Sequence, residues 1–260
     1  MSLVDIGLNL TSSQFNKDRD AVISRALSAG VSQFILTGTD VSESQFAFEL
    51  TDTFPSTYST AGVHPHDAKS VSQEYLIELK ALLQHDKVVA IGECGLDFNR
   101  NYSPPDVQER VFAEQLALTA DISKPLFMHE RDASERFCQI FDEHASGKPG
   151  VVHCFTGSKK ALMSYLDRGL YIGITGWLCD ERRGGELREL VSYIPSDRLL
   201  VETDAPWLLP RDLKPKPASR RNEPAYLPHI VQAIASLTNQ SVESVTCSTA
   251  ENSRALFQLR

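Results

Sequence analysis

The sequence predicts a (β/α)8 barrel of the TIM-barrel class, with residues 1–260 forming one domain. Three observations carry that expectation. Short β-rich apolar runs alternate with amphipathic stretches of helical periodicity, the pattern of a parallel α/β sheet. The runs number eight, and a barrel of ~250 residues would use the whole 260-residue chain. No Gly-rich phosphate loop follows the first run, which disfavours an open doubly wound sheet.

In chain order the expected strands are residues 3–7 (LVDIG), 34–38 (FILTG), 58–63 (YSTAGV), 88–93 (VVAIGE), 125–129 (PLFMH), 150–154 (GVVHC), 170–174 (LYIGI) and 198–202 (RLLVE). Helical spacing of apolar residues marks 18–29, 74–83, 108–120, 134–143, 159–168 and 186–193. A long interruption follows the last strand, with prolines at 206, 210, 215, 217, 224 and 228. It is too long to be only a connector. Within it, residues 211–221 carry five basic side chains and one acid in a chain whose net charge is -8. That contrast suggests a phosphate-facing lid, against the plainer reading of a solvated proline-rich loop.

Composition bounds the function. With 42% hydrophobic and 23% charged residues the chain is ordinary globular material. The first ten residues lack a basic start and include Asp5 in their apolar stretch, so no secretory signal is expected and the cytoplasm is the expected location. No apolar run approaches the ~20 residues of a membrane span. The five cysteines are scattered without C-x-x-C spacing, which fits reduced thiols. The acidic balance argues against coating nucleic acid by general electrostatics. It leaves room for an enzyme that holds one phosphate with a cation and a local basic patch.

Active sites of such barrels lie at the C-terminal ends of the strands. There the sequence places Glu93, His129 and His153, then Glu202 and Asp204 after the eighth run and His64 and His66 after the third. Strand alternation turns Glu93 inward with Ile91, His153 with Val151 and His129 with Phe127, and sends Cys94 and Cys154 outward to pack on helices. Several carboxylates gathered at one rim repel unless a proton or cation intervenes. A divalent cation held by Glu93, His129, His153 and Asp204 answers that requirement. Magnesium is expected foremost, with manganese or zinc able to use the same mixed nitrogen and oxygen ligands. Such an ion polarises a substrate oxygen and acidifies water, which is the chemistry of hydrolysis. Asp204 is the candidate to take the water's proton, and Glu93 the candidate to bridge two ions. His85, His144 and His229 read as surface or capping residues, Cys179 lies in a polar loop, and no G-x-S-x-G elbow is present.

Across nearly the whole chain these residues lie in segments that resemble the TatD family of metal-dependent deoxyribonucleases. The carriers are DIGLNL at 5–10, AGVHPHD at 61–67, IGECGLDF at 91–98, FMHERDA at 127–133, VHCFTG at 152–157, GITGW at 173–177, VETDAPWL at 201–208 and RNEP at 221–224. The resemblance implies 3′ to 5′ exonuclease action on single-stranded DNA, with RNA as a further substrate; separately, a monomer without membrane partners is expected. It implies a metal set of Glu93, His129, His153 and Asp204, and substrate contacts from His64, His66, Asn9, Glu202, Arg221 and Asn222. Many relatives carry a first-strand D-x-H-x-H, whereas here Asp5 is followed by Gly7 and Asn9. The altered position is expected to hold magnesium loosely, with glycine leaving room for water. Two other readings stay open: a small-molecule hydrolase using the same rim, and a binding protein with a decayed metal site. Candidate stacking aromatics are Phe98, Tyr102, Phe155 and Trp177, any of which could equally be packing.

Overall fold

A computed structural model describes residues 2–260. Its eight strands are β1 (Leu3–Leu8), β2 (Val31–Leu36), β3 (Thr57–Ala61), β4 (Val88–Asp97), β5 (Leu126–Arg131), β6 (Gly150–Val152), β7 (Tyr171–Ile174) and β8 (Leu199–Val201). They pair in parallel in sequence order. A bridge between Leu8 and Ala205 returns the last strand to the first, supported by Asp204 N–H donating to Gly7 O at 2.8 Å and Asn9 N–H to Ala205 O at 2.8 Å. The expected barrel is therefore observed, with each of the eight apolar runs contributing its strand.

Around it stand α1 (Arg19–Ser28), α2 (Val41–Thr53), α3 (Tyr75–Leu82), α4 (Pro105–Ala117), α5 (Ser134–Ala145), α6 (Lys159–Leu166), α7 (Gly185–Leu190), α8 (Leu227–Thr238) and α9 (Val242–Phe257). Local chemistry fixes their ends. Asp40 caps α2 by accepting from Glu43 N–H at 2.7 Å, and Ser241 caps α9 by accepting from Ser244 N–H at 3.0 Å. Both α8 and α9 stop at left-handed residues, Asn239 and Gln258. Between strands and helices lies a large apolar layer that includes Cys94, while a second cluster fills the barrel itself with Val4, Ile35, Val89, Phe127, Val151 and Leu200. The C-terminal turns of α9 close the lower end of that interior with Ala250, Leu256 and Phe257. Among the described residues no helix is long and apolar enough to cross a membrane.

Two features of the fold position the mouth. On β4 the regular alternation fails: Gly92 has φ of 139°, the register with β5 shifts between Ile91 and Cys94, and Ile91 packs in the outer layer. The expectation that Ile91 and Glu93 share a face is thus corrected, because a glycine-only backbone conformation lies between them. A Cβ at Gly92 would come within 2.0 Å of Phe127 O. The second feature is a pair of buried glutamines on α4. Gln115 grips Val63 at both its N–H (2.7 Å) and its carbonyl (3.0 Å), and Gln108 grips Asp97 in the same way at 2.8 and 3.1 Å. One helix therefore fixes the ends of both β3 and β4 where the polar residues begin.

Candidate metal centre

Glu93 is the hub of the barrel mouth. Its Oε1 lies 2.7 Å from His153 Nε2, 3.2 Å from His129 Nδ1 and 3.3 Å from His64 Nε2. Ligand atoms of His64, Glu93 and His129 all fall within 4.8 Å of one another, a spacing one cation could span. They line a cavity of about 540 Å³ together with Asn9, His66, Asp97 and Asp204. His129 Nε2 is buried with no hydrogen-bond partner and faces Asp97 Oδ2 at 3.8 Å. An orphaned imidazole nitrogen opposite a carboxylate is what a cation ligated by both would explain. The donor set therefore fits a divalent metal.

The electrostatics follow from burial and close pairing. Burial opposes ionisation of Glu93, yet the facing imidazoles of His153 and His64 and the contacts with His129 hold its carboxyl well below the usual range. Burial likewise opposes charge on His153, but Glu93 and Glu202 on either side raise its pKa well above the ordinary value. In His64 burial wins and drives the pKa down to about 3. This neutral ring accepts the His66 N–H at Nδ1, 3.1 Å away, which leaves its proton on Nε2 facing Glu93. Asp204 is pushed up to about 7, first by burial and then, against the pull of His153, by the charges of Glu202 and Glu93.

Not every expected contact meets the cavity. Asn9 does, donating from Nδ2 to Asp204 Oδ1 at 2.9 Å. His66 does as well, bonded to Asp97 Oδ2 at 2.7 Å beside the Tyr102 ring. Glu202, by contrast, is fully buried beneath the site, where it accepts the Cys154 N–H at 2.5 Å and contacts His153 Nδ1 at 3.2 Å. It orients an imidazole and has no exposed edge for substrate. Arg221 spends its guanidinium on Asp18 (2.7 and 2.8 Å), Glu223 (2.6 Å) and Gln14 O (2.8 Å). Asn222 is buried and donates to Thr203 O at 2.9 Å. Both fasten the proline-rich loop to the barrel rather than reach the cavity.

Three further expectations change. The space beside Gly7 belongs to Glu202: a Cβ there would sit 2.2 Å from Glu202 Oε2, and one at Gly173 2.5 Å from Glu202 Oε1. The Glu202 carboxylate fills the room that the small residues leave. Cys154 lines the cavity instead of packing on helices, because β6 ends at Val152 and Cys154 takes a left-handed φ of 48°. Phe155 is core, 1% exposed, whereas Trp207 at the rim is 55% exposed and was not among the aromatics the sequence suggested. Asp97 is also absent from the residues the sequence singles out, although it lies in the same IGECGLDF segment as Glu93.

Beyond the mouth lies a basic groove of about 730 Å³ with Arg182, Arg183, Arg211, Lys216 and Arg220 on its walls and Trp177 at its edge. A smaller cleft joins the two, sharing Arg131 with the cavity and Trp177 and Arg183 with the groove. Both arginines lie over the Trp177 ring, at 5.5 and 4.3 Å from its centroid.

Comparison with known proteins agrees with this geometry. The chain is 55% identical over 258 residues to a protein of Salmonella typhimurium named 3′-5′ ssDNA/RNA exonuclease TatD, covering 99% of each chain. It is 56% identical to the protein of the same name from Erwinia amylovora, covering 99% of this chain and 100% of that one. The crystal structure of a TatD family hydrolase from Entamoeba histolytica superposes with a TM-score of 0.90 at 29% identity, over 99% of this chain and 98% of that one. The family model described as TatD related DNase matches residues 4–258, and the chain therefore belongs to the TatD-related DNase family.

Proposed function

We propose that this chain is a divalent-metal-dependent 3′ to 5′ exonuclease acting on single-stranded DNA and RNA. The observation that carries the reading is Glu93, buried in the barrel mouth with three imidazoles around one of its oxygens. The relatives named as 3′-5′ ssDNA/RNA exonucleases support the substrate and polarity. Family membership supports dependence on a divalent cation. Glu93, His129, His153 and Asp204 would hold it, with Asp97 facing the free nitrogen of His129. Magnesium is proposed as the working ion, because Glu93, Asp97 and Asp204 supply hard oxygen donors and manganese can replace it at the imidazoles. When bound, the cation contributes positive charge at the scissile phosphate and makes water more acidic.

The remaining work falls to the protein. Glu202 holds the His153 ring by its Nδ1, fixing which nitrogen faces Glu93. Asp204, held in the cavity by the Asn9 amide that donates to its Oδ1, is the group placed to take a proton from attacking water. His64, protonated on Nε2, donates toward a phosphate oxygen or Glu93. The strand behind the scissile bond would run over Trp177 into the basic groove, where stacking and the arginines read backbone and ring without reading sequence. The test is digestion of a single-stranded oligonucleotide labelled at its 5′ end, with magnesium and with chelator. A ladder shortening from the 3′ end, absent with chelator, is expected. No cleavage of DNA or RNA with magnesium, manganese or zinc would overturn the reading.

A further inference from the structure

Away from the mouth, three segments distant in sequence meet at one point. Cys179 ends the short turn after β7, Asp212 belongs to the proline-rich loop, and His229 stands in the first turn of α8. The thiol, a carboxylate oxygen and an imidazole nitrogen lie within 4.8 Å of one another, and His229 Nε2 is 2.7 Å from Asp212 Oδ1. Cys179 is 2% exposed at the bottom of the group, while the other two face solvent and leave a path for an ion. We propose that Cys179, Asp212 and His229 form a second metal site, separate from the barrel mouth and selective for a zinc-type cation.

Ligand chemistry separates the two sites. A thiolate and an imidazole prefer zinc, whereas magnesium prefers oxygen ligands, so the same cation would not be the best occupant of both. Three protein ligands leave a fourth position for water. The alternative use of Cys, His and Asp, a nucleophilic triad, fails on access: the thiol is too buried to meet a substrate. Without a cation, burial and then the nearby Asp212 carboxylate push the Cys179 thiol up to about 12, so it stays protonated. Binding replaces that proton with the metal and releases it to solvent.

The position gives the site a structural consequence. Cys179 precedes Asp180 and Asp212 follows Arg211, and Arg211 Nε lies 3.8 Å from Asp180 Oδ1. A cation joining Cys179, Asp212 and His229 therefore ties the basic loop to the barrel and to α8, and holds Arg211 at the groove.

The experiment uses the full chain carrying Glu93→Ala, which disables the mouth, titrated with Co2+ and followed by the near-ultraviolet thiolate-to-cobalt charge-transfer absorption. One equivalent of Co2+ with that band, displaced by Zn2+, is expected. Adding Cys179→Ser should abolish the band, and His229→Gln, at the surface, should weaken Co2+ binding at least about tenfold. Absence of the band in the Glu93→Ala protein, its persistence after Cys179→Ser, or unchanged affinity after His229→Gln would each overturn the proposal.

Discussion

The two ends of this barrel are built from the same strands and hold opposite contents. At the lower end Val4, Ile35, Val89 and Leu200 meet Leu256 and Phe257 of α9 in an apolar plug. At the upper end β4, β5 and β6 lead to the buried Glu93, Asp97 and His153 and the half-buried His129, ionisable groups that pack around one another. Apolar burial at ~25 cal/mol per Å² stabilises the first end. The second end offers no such gain, since desolvating charges costs several kcal/mol per ion and pairing returns only part of it. Stability is concentrated below and chemistry above, which is why the mouth tolerates groups chosen for reactivity.

The largest expected effect separates the ends most sharply. Glu93→Gln should lower nuclease activity on the order of 10³-fold or more, the scale of losing a charge-stabilising group. Its unfolding temperature in the metal-free state should move by only a few degrees, on the order of the shift for ~1 kcal/mol. Loss of folding instead would show that the mouth also carries the barrel. Phe257→Ala should do the reverse, costing ~3–5 kcal/mol in denaturant unfolding while activity per folded molecule stays unchanged.

Smaller effects probe how the mouth is assembled. Gly7→Ala places a methyl 2.2 Å from Glu202 Oε2, so Glu202 must shift and release His153. An overpacking cost of about 1–3 kcal/mol is expected, together with weaker Mn2+ binding by titration. Unchanged affinity would separate Glu202 from the metal centre. The smallest effect lies at the rim, where Arg221, against a burial effect, holds the Asp18 carboxyl at about 2 instead of 3.8. Because the folded pKa is depressed, this contact contributes above pH ~4 and is lost as pH falls through about 2. Asp18→Asn should therefore cost about 1 kcal/mol or less at pH 7, with the difference from the parent shrinking between pH 4 and 2 in denaturant titrations. A difference independent of pH would contradict the ion-pair account.

The sequence made the barrel legible because each strand is a bounded apolar run, and chemistry at strand ends pointed to the mouth. Glu93, His129, His153, Asp204, Asn9, His64 and His66 do line one cavity. What periodicity could not show was three-dimensional filling. Gly92 breaks the alternation that linked Ile91 to Glu93, and Glu202 occupies the space that Gly7 seemed to leave to water. Charge alone likewise did not distinguish Arg221, bound to Asp18 and Glu223, from the arginines that face the groove. Helix α2 escaped notice because its few large apolar residues, Phe46, Phe48 and Leu50, are spaced by two and give no helical stripe. The plug formed by α9 depends on what the helix meets, which a periodic pattern does not encode.

If Glu93 and its imidazoles form the working metal centre, an ion bound there should be directly visible. Anomalous diffraction from crystals of the protein soaked in Mn2+ tests it most directly. A peak is expected about 2.0–2.3 Å from a Glu93 oxygen with His129 or His153 among its ligands. A mouth without an anomalous peak under conditions that support cleavage would contradict it.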